Sequence, residues 1–137
     1  MRYRLLICDD NDDDVYILMD ALKTVGLAVD CVRARDGVQA LKFLTSQADI
    51  DSHARFDLVI MDHRLPLESG LEVLQALRKA GNFPNCPVVI LTSRVGKERE
   101  AMDALGVQTV LEKPLSLDGY LEVGETLAKL CRHANLE

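Results

Sequence analysis

The sequence predicts one doubly wound α/β domain, a parallel sheet of five strands with helices on both faces. Three observations point there. Short aliphatic runs recur at 4–8, 28–32, 58–61, 88–91 and 108–111. Between them apolar residues return at the three-to-four-residue spacing of an amphipathic helix. Several of the runs stop abruptly on polar or charged residues. Strand and helix therefore alternate five times, and that alternation calls for crossover connections and a parallel sheet covered on both sides.

Composition narrows the class. The 137 residues suit a single domain with a real core, with no separate output domain expected. Aromatic residues make up only 4% and Trp is absent, so aliphatic side chains must build the interior. The net charge is −6 and no basic run stands out, which argues against a nucleic-acid or anionic-membrane surface. No apolar stretch approaches the length of a membrane span, and the first four residues lead straight into a strand. The cysteines Cys8, Cys31, Cys86 and Cys131 lie far apart without C-x-x-C spacing. They read as reduced thiols of a cytoplasmic protein, neither metal ligands nor a disulfide frame.

The first strand, 4–8, ends on Asp9 and Asp10, and Val15, Leu18, Met19, Leu22 and Val25 then mark a helix running up to Gly26. Asp12, Asp13 and Asp14 lie at that helix's start, where acidic groups cap free N–H groups and complement the dipole. After the second strand, 28–32, Arg35, Asp36 and Gly37 form a turn, and Val38, Ala40, Leu41 and Leu44 supply the next helical face. The polar stretch 45–55 reads as a helix end and an exposed loop. Leu58, Val59, Ile60 and Met61 follow, a run fit to be buried on both faces, and it ends on Asp62. Ser69 and Gly70 precede a helix carrying Leu71, Val73, Leu74 and Leu77, which 81–85 breaks. The fourth strand, 88–91, ends on Thr92 and Ser93. A helix over 97–105 stops at Gly106, a residue suited to a helix C-terminus. The fifth strand, 108–111, ends on Glu112, Lys113 and Pro114, and a last helix over 117–133 carries Leu121, Val123, Leu127, Leu130 and Cys131.

Ligands of an open parallel sheet sit at the carboxyl ends of its strands. If the first, third, fourth and fifth strands are neighbours, their tips gather Asp9, Asp10, Asp62, Thr92 and Lys113 in one crevice. Clustered carboxylates raise one another's pKa unless a cation compensates, and a hard divalent ion with oxygen ligands, Mg²⁺, suits the set. A metal, a Lys and a hydroxyl then serve a phosphoryl group attacked in line by a carboxylate. Taken singly, each residue has a plainer explanation: a strand-ending Asp, a capping Thr, a solvated Lys. Asp10, Asp12 and Asp14 also imitate the start of an EF-hand loop, but Val15 stands where Gly is needed and Ala21 where Glu is needed.

Together these residues resemble the receiver domain of two-component response regulators, over about 4–129. The carriers are Asp9 and Asp10, Asp62, Thr92 with Ser93, and Lys113 with Pro114. Ala34 to Gly37, Ala40, Leu41, Leu65, Pro66 and Gly70 are also similar to the family. The resemblance implies a flavodoxin-like (βα)5 fold with sheet order 2-1-3-4-5 and Asp62 as the residue phosphorylated by a sensor histidine kinase. It implies that Asp10 binds Mg²⁺ directly and Asp9 largely through water. Thr92 would grip the phosphoryl group and move with it, and Lys113 would pair with a phosphoryl oxygen across a cis Lys113–Pro114 bond. The chain looks most like stand-alone receivers, including those partnered with bacterial phytochromes.

Two departures carry expectations of their own. Val110 stands where the family usually has a swinging Tyr or Phe, and Arg64 and Arg94 stand two residues past Asp62 and Thr92. The arginines are expected at the rim of the phosphoryl site, shielding it and lengthening its life. Val110 is too short to report on a distant pocket. The fourth helix is then the element expected to shift, and Val110 and Glu112 share one face of the fifth strand. With the fourth and fifth helices they would face an unidentified downstream protein or a second copy in a homodimer.

The rivals are a small Mg²⁺-dependent phosphatase with an aspartyl nucleophile, a flavodoxin-like FMN binder and a docking module that works without phosphate. Asp10, Asn11 and Asp12 imitate the phosphatase D-x-D, but the run continues into Asp13 and Asp14. No Gly- or Ser-rich phosphate loop follows the first strand. The presence of every site residue disfavours the docking module. The expected protein is a phosphoacceptor, with no independent substrate of its own.

Overall fold

A computed structural model describes residues 2–46 and 55–134. Its elements run β1 (Tyr3–Cys8), α1 (Asp12–Thr24), β2 (Val29–Ala34), α2 (Gly37–Ser46), β3 (Leu58–Met61), α3 (Gly70–Lys79), β4 (Val88–Thr92), α4 (Glu98–Leu105), β5 (Thr109–Glu112) and α5 (Leu117–Ala134). All strand pairs are parallel and the sheet order is β2-β1-β3-β4-β5. The expected fold is thus the observed one, with strand and helix ends displaced by a residue or a few. Most of the stretch 45–55 lies outside the described residues.

Side-chain alternation along β1 divides the interior in two. Leu6 and Cys8 join Val59, Met61, Ile90 and Val110 under α2, α3 and α4. Leu5 and Ile7 join Leu58, Ile60, Val89 and Leu91 under α1 and α5. β3 and β4 are buried throughout, as central strands of a doubly covered sheet must be. Cys8 and Cys131 are buried, and Cys31 and Cys86 are partly exposed. Burial raises all four thiol pKa values, Cys31 and Cys131 to about 11 and Cys86 to about 12. Among the described residues no helix is long and apolar enough to cross a membrane.

Strand register aligns the tips. Cys8 pairs with Met61 and Thr92 with Glu112, so Asp9 and Asp62 leave the sheet side by side and Lys113 leaves one step beyond Thr92. Backbone bonds carry the ladder past the formal strand ends: Asp9 N donates to Ala34 O at 3.0 Å, Asp62 N to Cys8 O at 2.8 Å and Lys113 N to Thr92 O at 2.7 Å. The chain beyond Asp62 must then turn back sharply into α3. Gly70 allows it, because a Cβ there would lie 2.8 Å from the Asp62 carbonyl oxygen.

Candidate functional site

The crevice at the strand tips is built around the ammonium of Lys113. Its Nζ donates to Asp14 Oδ2 and Asp62 Oδ2 at 2.7 Å each, and lies 2.9 Å from Asp9 Oδ2. An ammonium has three donors, and three carboxylates take them. Asp62 is 6% exposed, and its other oxygen, Oδ1, accepts from Thr92 Oγ1 at 2.9 Å and from the Arg64 amide at 2.9 Å. Thr92, 2% exposed, already engages Asp62. Four of the five residues read from the sequence therefore touch one another. Asp10, the fifth, lies exposed beside Asp9.

The electrostatics follow from this packing. Burial pushes the Asp9 carboxyl above its ordinary range. The Asn11 amide, donating to Asp9 Oδ1 at 2.9 Å, and Lys113 pull it back, and the charge of Asp62 pushes it up again. Burial alone would lower the Lys113 pKa, but its bonds to Asp14, Asp62 and Asp9 outweigh that and raise it. Arg33 of β2 fixes the loop from the far side. Its Nε and Nη2 donate to the Asp9 carbonyl at 3.2 and 3.1 Å, and its Nη1 donates to Asp12 Oδ1 at 2.6 Å. Arg35 reaches the same Asp12 oxygen at 3.0 Å.

Three expectations need correction. Asp14 is more than an acidic residue in a first helical turn, because it is a direct partner of Lys113. The N-cap of α1 is Asn11, whose side chain accepts from the Asp14 amide and so sets Asp14 in that first turn. Next, no cis peptide bond occurs among the described residues, so Lys113–Pro114 is trans. The lysine reaches the crevice without it, because its stem is long and its amide continues the β4–β5 ladder. Finally, Val110 is not part of an open face. It is 5% exposed and packed in the cluster with Met102 and Val107 beneath α4, while Glu112 at the strand end is exposed. The D-x-D imitation is also accounted for, since Asp12 is turned toward Arg33 and Arg35.

Arg64 and Arg94 line a hollow of about 280 Å³ with His63, Ser69, Gly96, Lys97 and Glu98. It adjoins the acceptor through His63, the residue after Asp62. Among the described residues, no group of three or more Asp, Glu, His or Cys side chains is arranged to hold a metal ion. The carboxylates meet on Lys113 instead. The donor chemistry nonetheless fits a hard cation: Asp9, Asp10 and Asp62 offer carboxylate oxygens alone, and the single ammonium of Lys113 is shared among Asp9, Asp14 and Asp62.

This arrangement has known relatives. The family model for the response regulator receiver domain matches residues 5–123. The chain belongs to that family. A receiver takes on and releases a phosphoryl group as a signal, and it has no separate substrate as an enzyme does. Response regulator Rcp1 of Synechocystis sp. is 30% identical over 89 residues, which cover 65% of this chain and 60% of that protein. The polar-differentiation response regulator DivK of Brucella anthropi is 29% identical over 123 residues, 89% of this chain and 93% of its own length. Among solved structures, this receiver superposes on the Mn²⁺-bound form of Rcp1 with a TM-score of 0.76 and 26% identity, covering 91% of each chain. It superposes on the phosphorylated cyanobacterial phytochrome response regulator RcpA with a TM-score of 0.80 and 22% identity, covering 94% and 93%.

Proposed function

We propose that this receiver accepts a phosphoryl group on Asp62 from a sensor histidine kinase, with Mg²⁺ bound by Asp10, Asp9 and Asp62. One observation carries the reading: three separate strand tips converge on the Asp62 carboxylate, which meets Lys113 at one oxygen and Thr92 and the Arg64 amide at the other. That is a buried nucleophile ringed by donors, as phosphoryl transfer requires. An Asp62 oxygen forms the new O–P bond while the P–N bond of the donor imidazole breaks, and its electron pair stays with the nitrogen. Lys113 and Thr92 are placed to donate to the oxygens of the arriving group. A divalent ion held by Asp9, Asp10 and Asp62 would supply further positive charge to the site. That the related Rcp1 has a Mn²⁺-bound form supports a divalent metal for this receiver.

Acetyl phosphate tests the assignment. Labelling is expected only with Mg²⁺ and is expected to vanish in Asp62→Asn; retained labelling in that variant overturns it.

The arginine-lined hollow supports a second element of the reading, that Arg64 and Arg94 slow hydrolysis of the acyl phosphate. The double Ala variant is then expected to dephosphorylate faster. Acting in the cytoplasm, the phosphorylated protein signals through α4, the exposed end of β5 at Glu112, and α5, to a downstream protein or a second copy. Sedimentation with and without beryllofluoride, together with charge reversal at Glu112, tests that face. The likeness to RcpA, a phytochrome response regulator, makes a phytochrome-type photoreceptor kinase the first donor to try.

A further inference from the structure

Lys113 divides its three N–H groups among carboxylates with different fates. On the phosphoacceptor reading, which this inference presupposes, Asp62 loses its carboxylate charge when it is phosphorylated, and Asp9 belongs to the cation's ligand set. Asp14 has neither role. It stands in the first turn of α1, where Asn11 holds its amide at 3.1 Å and its Oδ2 meets Lys113 Nζ at 2.7 Å. Its side chain is 27% exposed against 10% for the lysine, so it closes the crevice on the solvent side. Behind it lies the buried Tyr120 of α5, whose hydroxyl pKa is raised by burial first and by the charge of Asp14 next.

We infer that Asp14 is a positioning residue, the one partner Lys113 keeps through the phosphorylation cycle. When an Asp62 oxygen forms its bond to phosphorus, the donor's bond to phosphorus breaks and the leaving group departs with the electron pair. With acetyl phosphate the leaving group is acetate. The N–H that pointed at Asp62 is then free to turn to a phosphoryl oxygen. The ammonium need not move to do so, because Asp14 holds it from the α1 side. Without that anchor the flexible four-carbon stem would have to find the phosphoryl group anew at every turnover.

The experiment compares wild type, Asp62→Asn, Asp14→Ala and the isosteric Asp14→Asn, each with acetyl phosphate and saturating Mg²⁺. Labelling of wild type that is lost in Asp62→Asn establishes the acceptor; if wild type takes no label, the phosphoacceptor reading falls and this inference falls with it. With the acceptor established, Asp14→Ala is expected to label about tenfold more slowly and Asp14→Asn at an intermediate rate. Calorimetric Mg²⁺ affinity is expected to stay within about twofold, because Asp14 is not a cation ligand. The ¹⁵N-detected signal of the Lys113 ammonium, protected by its three carboxylates, is expected to broaden by exchange with water in Asp14→Ala. A merely structural role would leave that signal in place. Unchanged or faster labelling in the two Asp14 variants, or slower labelling with the Lys113 signal intact, overturns the inference.

Discussion

The two flanks of the strand-tip crevice are held very differently. On the α1–α5 side, Lys113 ties β5 to Asp9, Asp14 and Asp62 at 2.7–2.9 Å, and Arg33 clamps the same loop from β2. The 18-residue α5 then buries Tyr120, Val123, Leu127, Ala128 and Cys131 against α1 and the sheet. On the other side α4 has eight residues, only Met102 of them buried, and its N-cap Lys97 makes no side-chain capping bond. Its entry faces the hollow lined by Arg64, Arg94 and Lys97. Charge pairing thus stiffens one flank, while the other is short, uncapped and lightly packed. A change at Asp62 is therefore predicted to move the element that costs least to move, α4.

Breaking the stiff flank should have the largest effect. Lys113→Met leaves Asp9, Asp14 and Asp62 facing one another without compensation, and removing one partner of a buried charge cluster costs about 3–5 kcal/mol. Urea unfolding at neutral pH and low salt should show it. Because the Lys113 pKa is raised in the fold, its contribution is complete below the ordinary lysine value of 10.5 and is lost as pH rises through the higher folded value. The gap between wild type and variant should therefore persist at neutral pH and close in strong alkali.

Asp9 sharpens the comparison in the opposite direction. Burial raises its pKa, so the folded state holds that proton to higher pH than the unfolded chain does. Its contribution to stability therefore falls as pH rises from 3.8 through the folded value. Without divalent cations, Asp9→Asn should stabilise the protein at neutral pH by roughly 1–2 kcal/mol, the scale of desolvating a polar group. At pH below the unfolded value the gain should disappear. Added Mg²⁺ should raise the melting temperature of wild type and not of Asp9→Asn. An equal rise in both would remove Asp9 from the cation's ligand set.

The stiff flank is also the more legible one. Five aliphatic runs, with Asp9, Asp62, Thr92 and Lys113 at their ends, reveal the sheet and most of the crevice, because strand tips are fixed by local pattern and topology. Asp14 is hidden in the sequence because its first-turn position already accounts for an acidic residue. Only the spatial meeting of α1 with the tip of β5, 99 residues later in the chain, gives it a second partner. Tyr120 is hidden for a similar reason: its apolar ring fits the α5 core whether or not its hydroxyl finds Asp14. Alternation alone puts Val110 on an open face, since it fixes the side of a strand but not what covers it; α4 and Met102 cover it.

The soft flank is hinged at the C-terminal end of α4. Its C-terminal carbonyl, at Leu105, accepts from Arg78 Nη2, and the Arg78 guanidinium lies 4.0 Å from the centre of the Phe83 ring. Gly106 follows in the left-handed region at φ 101°, with Arg78 Nη2 only 3.0 Å from where a Cβ would stand. Arg78→Met removes both contacts and should cost roughly 1 kcal/mol. Amide exchange should accelerate in the last turn of α4 while the Lys113 cluster stays protected. Exchange that accelerates equally around Asp14 would mean that the two flanks are not independent.

The smallest effect is expected at the opposite end of α4. His63 Nε2 lies 3.9 Å from Glu98 Oε1, and Glu98 opens the helix. The contact is long and the carboxylate is more than a third exposed, so Glu98→Gln should change global stability by less than about 0.5 kcal/mol. The contact is nevertheless the side-chain link between the residue following Asp62 and the first turn of an uncapped helix. His63 is itself held in place, because its Nδ1 accepts from the Leu71 amide at 3.4 Å. Loss of the pair should therefore appear as faster exchange in the first turn of α4, with the rest of the protein unchanged. Beryllofluoride should reproduce that local loosening in wild type and add little in Glu98→Gln, if phosphorylation at Asp62 acts on α4 through His63. Full additivity of the two would show that the path to α4 runs instead through Thr92 and the loop carrying Arg94.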